Sequence, residues 1–139
     1  MAILVKNNSK RLVKEIYDLK HHNKPLLKLL FDCRNFCNAE FNKDITITMI
    51  YRTDSEQDSI YDGKTNKKGI LYNDKPWKSP HQFYHALDLR SKTFSTEEID
   101  KLVSYLNEKY DESNYYKFTA LNHSIGLGDH FHVQYYKKG

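Results

Sequence analysis

Two segments of the chain carry closely spaced side chains of the types that bind metal ions. In the first, "KSPHQFYHALDLRS", His81 and Asp88 stand seven residues apart. In the second, "GDHFHVQYY", His130 and His132 stand two residues apart, and side chains at this spacing in a strand point to the same face. The histidine pair therefore belongs either to a metal site or to an exposed strand with two surface histidines.

Both segments together would supply a complete set of metal ligands. His81, Asp88 and one of the two late histidines offer two nitrogen donors and one oxygen donor. A catalytic zinc ion is typically held by three protein ligands and keeps a fourth position for water, whose pKa it lowers toward neutrality. The residue types thus suit metal-assisted hydrolysis, provided that the fold brings the two segments together.

Helical periodicity and end signals predict three longer helices. "SKRLVKEIYDLKHH" has apolar residues at helical spacing, and "KPLLKLLFDCRNFCNAEF" follows it after a break at Asn23–Lys24, with Pro25 in the first turn. "STEEIDKLVSYLNEKYD" begins with a capping box, Ser95 with Glu98. These helices must pack on whatever sheet carries the ligands.

Strand signals occur in four places. "DITITMIY" (Asp44–Tyr51) is rich in β-branched residues, and "YHALDLR", "YYKFTALNHS" and "HFHVQYY" are further candidates, the last two joined by a turn at "IGLGD". Thr53 and Glu56 form a second capping box, which predicts a short helix that carries Gln57 and ends near Tyr61. The order of elements predicts an α+β fold in which helices pack on a small antiparallel sheet with a single zinc site.

Length and composition fit one globular domain, 1–139, with a helical part at 1–43 and the ligand-bearing segments in 44–139. A net charge of +4 suits an anionic partner without requiring one. Cys33 and Cys37 are predicted to be buried free thiols, because a bridge at this helical spacing is awkward. No apolar run is long enough for a signal peptide or a membrane span, so we expect synthesis in a cytoplasm and no membrane insertion.

The motifs in combination resemble those of a known family. "SPHQFYHALD" resembles the SxHxxGxAxD motif of zinc D-alanyl-D-alanine peptidases, with Ser79, His81, Ala86 and Asp88 in register. These peptidases form a superfamily with the lysostaphin-type peptidases and the hedgehog signalling domain. "YRTDSEQDSIY" is similar to the upstream segment of the family, and "GDHFHVQ" to its C-terminal HxH element. The first 43 residues carry no motif of this family.

The resemblance implies a role for each matching residue. His81, Asp88 and His132 would bind Zn²⁺, and His130 would act near the water and the tetrahedral intermediate. Arg52 matches the arginine that holds the substrate carbonyl or carboxylate, as a fixed guanidinium can do where negative charge develops.

Further positions match the family less closely. Gln57 and Ser79 stand at matching positions, which the resemblance places at the substrate, and Gln57 has a surface position on the short helix as its alternative. Tyr84 replaces the family glycine, so its ring would reshape the turn or line the pocket. Asp129 stands where the family has a glutamate as general base, and it is one methylene shorter. It is either the general base or a turn residue after Gly128. His130 and His123 are the other candidates for the base, His123 with a structural role as its alternative.

Three hypotheses about function follow. The resemblance implies a zinc metallopeptidase that cuts peptides of bacterial peptidoglycan, as a phage lysin that is released through a holin or carried in a virion. The second hypothesis is a non-catalytic zinc-bearing module, such as a virion component, which Tyr84 and Asp129 favour. The third is a nuclease of the His-hydrophobe-His type. It is disfavoured because only Tyr135 and Tyr136 follow the histidine pair as candidate nucleophiles, and we expect no nucleic-acid partner.

Overall fold

A five-stranded sheet organises the part of the chain that the structure describes. The computed structural model describes residues 3–53, 55–56, 79–123 and 130–139. The elements are, in order, β1 (Ile3–Val5), α1 (Lys10–His22), α2 (Lys24–Phe41), β2 (Ile45–Met49), β3 (Ala86–Arg90), α3 (Thr96–Tyr110), β4 (Ala120–His123) and β5 (His130–Gln134). The predicted α+β fold with helices on a small sheet is confirmed.

Each of the three helices begins at a side chain that caps its first turn. The Ser9 hydroxyl accepts from a backbone N–H in the first turn of α1 and Asn23 does the same for α2, which has Pro25 at its start. Ser95 and Glu98 form the predicted capping box of α3. These caps satisfy N–H groups that a helix start leaves without intrahelical partners.

The sheet is mixed, because it contains a strand that the sequence did not predict. Its order is β1-β2-β3-β5-β4, and all neighbours are antiparallel except β1 and β2, which are parallel. A parallel pair needs a long crossover, and α1 with α2 supplies it. A strand of only three residues, Ile3–Val5, carries too little pattern to be recognised from the sequence.

The two faces of the sheet have opposite character. Leu87 pairs with Val133 and Leu89 with Phe131, and these side chains face the helices in the core. The alternate residues of the same strands point to the other face, where they meet the polar ligands described below. Helix residues that complete the core include Leu19, Leu26, Leu29, Leu30, Cys33, Cys37, Leu102 and Leu106. Both cysteines are buried free thiols, as predicted, and burial raises the pKa of Cys37 to about 12.

Some sequence predictions lie outside the described residues. These are Gln57, the end of the short helix near Tyr61, the turn at "IGLGD" and Asp129. The capping box that starts the short helix is formed, with Glu56 and Thr53 bonding to each other's backbone N–H. None of the helices that the structure describes has the length and apolar character needed to cross a bilayer.

Candidate metal centre

His81, Asp88 and His132 come together in a buried cluster. One ligand atom of each residue lies within 4.8 Å of the others, and this group could hold a metal ion. Nε2 of His81 and Nδ1 of His132 each lie 3.1 Å from Oδ1 of Asp88. The three side chains expose between 1% and 9% of their residue surface, so the cluster lies beneath the surface of the sheet.

Sheet register positions two members of the cluster. Asp88 and His132 are direct partners across the β3–β5 ladder, on the face that points away from the core. His130 pairs with Arg90 on the same face, and its Nε2 lies 3.5 Å from Oδ2 of Asp88. The spacing of two residues in "HFH" therefore places both imidazoles on one face, as the strand alternation predicted, and both lie near the Asp88 carboxylate.

A single turn of 3₁₀ helix, Pro80–Phe83, positions the third member. The sequence predicted a loop here, and the turn forms because Ser79 caps it and Gln82 closes a capping box with Ser79. The carbonyl of His81 accepts from the backbone N–H of Arg52, which joins the turn to the end of β2. Ser79 thus holds the turn that carries His81, and no substrate role is needed to explain its position.

The hydrogen bonds of His81 fix which ring nitrogen faces the cluster. Its Nδ1 lies 2.8 Å from the carbonyl oxygen of Ile50, and a carbonyl can only accept. Nδ1 therefore carries the proton, and the lone pair of Nε2 points toward Asp88. Burial lowers the pKa of His81, against the opposing effect of the Asp88 carboxylate, and favours this neutral form.

The same reasoning fixes the ring of His132 through Gln134. The Gln134 amide nitrogen donates to the Phe118 carbonyl at 3.1 Å, so its oxygen faces His132. Nε2 of His132 lies 3.0 Å from that oxygen and must donate to it. In a neutral His132 ring, the lone pair of Nδ1 consequently points at Asp88.

Burial acts to raise the pKa of Asp88, but charge and hydrogen bonds from the imidazoles of His81 and His132, which require a proton on the nitrogens that face Asp88, outweigh it and hold that pKa far below its usual range. When both imidazoles are instead neutral in the tautomers described above, the cluster has only acceptors among its ligand atoms. An ionised carboxylate oxygen and two imidazole lone pairs then point toward one another. Such an arrangement is repulsive unless a cation lies between them, and it matches the donor set of a metal site whose imidazoles are oriented by outer hydrogen bonds.

Arg52 lies close to the cluster but is buried, with 6% of its surface exposed. Its guanidinium contacts the Met49 sulfur through Nε and Nη2 at 3.2 and 3.1 Å. His85 stacks on Tyr136 at 4.1 Å and shares a hydrogen bond with Tyr116.

Tyr84 occupies a left-handed backbone conformation, with φ 59° and ψ 31°. Glycine adopts this conformation freely, whereas other residues do so at a cost. The ring stacks between His22 at 4.5 Å and Tyr51 at 4.8 Å, and the hydroxyl bonds to Asp18. The turn thus keeps its glycine-type backbone, and the ring packs on α1 and on the segment after β2.

The N-terminal helices hold the ligand segments in place. Asn23, at the junction of α1 and α2, is buried and donates to the carbonyls of Tyr84 and Tyr135 at 3.0 and 2.7 Å. Glu15 of α1 accepts from the backbone N–H of Tyr51 at 3.1 Å. The N-terminal helices therefore bond to the chain at Tyr51 and, just after each histidine element, at Tyr84 and Tyr135.

Sequence reasoning missed the groups that orient the imidazoles. Gln134 could have been found, because it stands two residues after His132 and so on the same strand face. The Ile50 carbonyl is a backbone group and leaves no signal in residue types. His123 ends β4, and its side chain lies outside the described part of the chain.

Comparison of the chain with protein-family models, with curated proteins and with solved structures found no match in any of the three.

Proposed function

We propose that the chain is a zinc-dependent metallopeptidase that hydrolyses peptide bonds of bacterial peptidoglycan, in the manner of a phage lysin. The observation that carries the proposal is the convergence of His81, Asp88 and His132, the three positions that the motif resemblance implies as ligands. Two imidazoles and one carboxylate suit zinc and leave a coordination position for chemistry.

The backbone of Tyr84 is a second, independent support. The SxHxxGxAxD motif, which the sequence resembles, has glycine at this position. The backbone of this chain adopts a left-handed conformation there despite the tyrosine. A local geometry that glycine favours is thus retained at the residue where the motif requires glycine. This agreement does not depend on the ligand residues.

In this proposal the residues in and around the centre have different roles. His81, Asp88 and His132 hold the zinc, which supplies Lewis acidity and an acidic water when bound. His130, 3.5 Å from Asp88, lies beside the ligands and is the described residue best placed to exchange a proton with a reacting group. Ile50 and Gln134 keep both ligand imidazoles in the required tautomer.

A second candidate function is a non-catalytic zinc-bearing module, such as a phage virion component. The burial of Arg52 against Met49 favours it, because a guanidinium that binds substrate must be reachable by substrate. In this alternative the metal stabilises the fold, and Arg52 serves packing.

Metal content and peptidoglycan cleavage, measured on the same preparation, separate the two candidates. We expect one zinc per chain by elemental mass spectrometry, and release of peptide fragments from isolated peptidoglycan that a chelator abolishes and added zinc restores. One zinc without cleavage would support the module. Absence of metal would refute the centre itself.

Matched histidine variants make this experiment specific. His81→Ala should lose both zinc and cleavage. His21→Ala removes an exposed histidine of α1 and should change neither. Equal loss in both variants would mean that histidine content, and not the buried cluster, determines the metal content.

A further inference from the structure

Glu15 is a carboxylate on the face of α1 that otherwise packs into the core. Leu12, Glu15 and Leu19 share this face, and each exposes 7% or less of its surface. A buried carboxylate costs free energy unless an opposite charge and hydrogen bonds satisfy it. The contacts of Glu15 therefore indicate why a carboxylate occupies a position that suits an apolar side chain.

The two oxygens of Glu15 have different partners. Oε2 accepts from Nε of Arg11 at 2.8 Å, and Oε1 accepts from the backbone N–H of Tyr51 at 3.1 Å. Arg11 also donates from Nη2 to the carbonyl of Tyr51 at 2.9 Å. Helix α1 thus binds both the N–H and the carbonyl of Tyr51, and so holds the backbone on either side of this residue.

The N–H of Tyr51 belongs to the same planar peptide unit as the carbonyl of Ile50. That carbonyl is the group that accepts from Nδ1 of His81 at 2.8 Å. In a trans peptide the N–H and the carbonyl point in opposite directions, so Glu15 binds one side of the unit and His81 the other. A chain of hydrogen bonds therefore runs from α1 through this peptide unit to a member of the metal cluster.

Such a chain acts on the imidazole of His81 in two ways. It fixes the plane of the peptide unit, and with it the direction in which the Ile50 carbonyl meets the ring. It also strengthens that carbonyl as an acceptor, because hydrogen bonds in series polarise one another. A metal-bound imidazole typically donates its other N–H to a carboxylate or a carbonyl, which orients the ring and makes the ligand nitrogen more basic. Here a carbonyl and a carboxylate follow each other in series.

The same backbone segment contacts His81 at a second point. The backbone N–H of Arg52 donates to the carbonyl of His81 at 3.2 Å. His81 is thus bonded through its ring to Ile50 and through its backbone to Arg52, the two neighbours of the residue that α1 holds. A displacement of Tyr51 would therefore affect both contacts.

We propose that Glu15 is a positioning residue of the metal centre, which acts through the Ile50–Tyr51 peptide unit to keep Nε2 of His81 directed at the cluster. The inference rests on the metal centre of the proposed function and does not require peptide cleavage. Gln134 orients His132 by direct contact, and Glu15 does so for His81 at one step further away. A residue of the N-terminal part, where the chain carries no motif of the resembled family, thereby gains a role at the centre.

Zinc affinity, measured by competition with a chelator of known affinity, is the first readout. Glu15→Leu removes the acceptor for the Tyr51 N–H and should weaken zinc binding by about 10-fold, the lower end of the range for outer partners. Glu15→Gln keeps an oxygen that can accept from this N–H and should lose less. Asp18→Asn removes another carboxylate of α1, one that bonds to the Tyr84 hydroxyl, and should leave the affinity unchanged.

The proton on Nδ1 of His81 gives a second readout that does not depend on affinity. Its resonance is observed by nuclear magnetic resonance in zinc-loaded protein and is assigned by its absence from His81→Ala. In Glu15→Leu we expect the resonance to move upfield and its exchange with solvent to become about 10-fold faster, as for a weakened hydrogen bond. Leu106→Ala, which removes a buried side chain of α3, should lower the stability of the fold and leave this resonance in place.

Failure of this inference can be told apart from failure of the proposed function. Zinc affinity or an Nδ1 resonance that stays unchanged in Glu15→Leu would overturn the role of Glu15 and leave the metal centre intact. An equal change of the resonance in Leu106→Ala would also overturn it, because loss of stability would then suffice as the cause. Weaker zinc binding by Glu15→Leu, in a chain whose parent binds zinc and cleaves no peptidoglycan, would support the role of Glu15 and contradict the peptidase. A parent chain that binds no zinc would overturn both.

Discussion

Asp88 and His132 face each other across the β3–β5 ladder, with Oδ1 and Nδ1 3.1 Å apart. Both residues lie inside strands whose backbones are hydrogen-bonded to each other, so the ladder sets their separation. Sites built on sheet elements hold their geometry more closely than sites on loops. A metal bound here would therefore find two of its ligands already in place.

Removal of any one of the three ligands should release the metal. We expect His81→Ala, Asp88→Ala and His132→Ala each to lose stoichiometric zinc, because two remaining donors do not complete the usual three-ligand site. Elemental mass spectrometry after dialysis against a weak chelator measures this directly. Stoichiometric zinc in all three variants would overturn the ligand assignment.

His130→Ala tests a residue that lies beside the three proposed ligands. His130 lies on the same strand face, but its nearest contact to the cluster is the other oxygen of Asp88, at 3.5 Å. We expect this variant to keep most of its zinc while its kcat for peptide cleavage falls about 10²-fold or more, as for loss of a general acid or base. Loss of zinc equal to that of His132→Ala would make His130 a ligand.

Gln134 should control metal affinity without touching the metal. Gln134→Leu removes the acceptor that fixes the His132 tautomer, and loss of such outer partners typically lowers affinity about 10–100-fold. Competition with a chelator of known affinity measures the change. Gln134→Glu keeps an acceptor for His132 and should lose less, so equal losses in both variants would contradict an orienting role.

Local signals predicted part of the buried cluster, and the choice of His132 over His130 came from the motif resemblance. His81 and Asp88 belong to one short motif, and the alternation in "HFHVQ" places His130 and His132 on one face of a strand. The helices were predictable for the same reason, since caps such as Ser95 with Glu98 act within one turn.

The features that were missed depend on contacts between distant segments. The parallel strand β1 forms through its pairing with β2, 40 residues further along the chain. The stacking of Tyr84 on His22 likewise arises only when α1 and the turn meet. Residue types alone do not show which distant segments come into contact. The sequence therefore did not predict the role of residues 1–43.

The left-handed backbone at Tyr84 should reverse the usual order of glycine and alanine. Both Tyr84→Ala and Tyr84→Gly lose the stacking on His22 and Tyr51 and should be less stable than the parent chain by about 1–3 kcal/mol. Alanine keeps the steric cost of φ 59°, whereas glycine removes it. We expect the glycine variant to be the more stable of the two by about 1 kcal/mol.

Urea unfolding of both Tyr84 variants, followed by far-ultraviolet circular dichroism, measures this order. At an ordinary helical site the order is the opposite, and the alanine variant is more stable than the glycine variant. Ser104, within α3, offers that comparison, and there alanine should be the more stable. A less stable glycine variant at Tyr84 would mean that the left-handed conformation stores no strain.

Asp32 should give a pH-dependent contribution to stability through its contacts between α2 and α3. Partial burial acts to raise the pKa of Asp32, but hydrogen bonds from Lys109, Tyr110 and Tyr105 at 2.6–2.8 Å outweigh it and lower that pKa. Because the folded pKa is depressed, the stabilisation is fully present above the unfolded pKa of about 4 and is lost as the pH falls through the folded value.

Asp32→Asn should therefore be less stable than the parent chain at pH 7, and the difference should shrink below about pH 4. We expect a difference of about 1 kcal/mol at pH 7, since the carboxylate is partly exposed and solvent screens it. Urea unfolding of both proteins over a pH series gives this difference directly, because other acid-sensitive groups affect them equally. Asp100→Asn, at an exposed position of α3, controls for the loss of one negative charge and should show little difference at any pH. A destabilisation by Asp32→Asn that stays constant down to pH 2 would show that packing, and not the ionised carboxylate, joins the two helices.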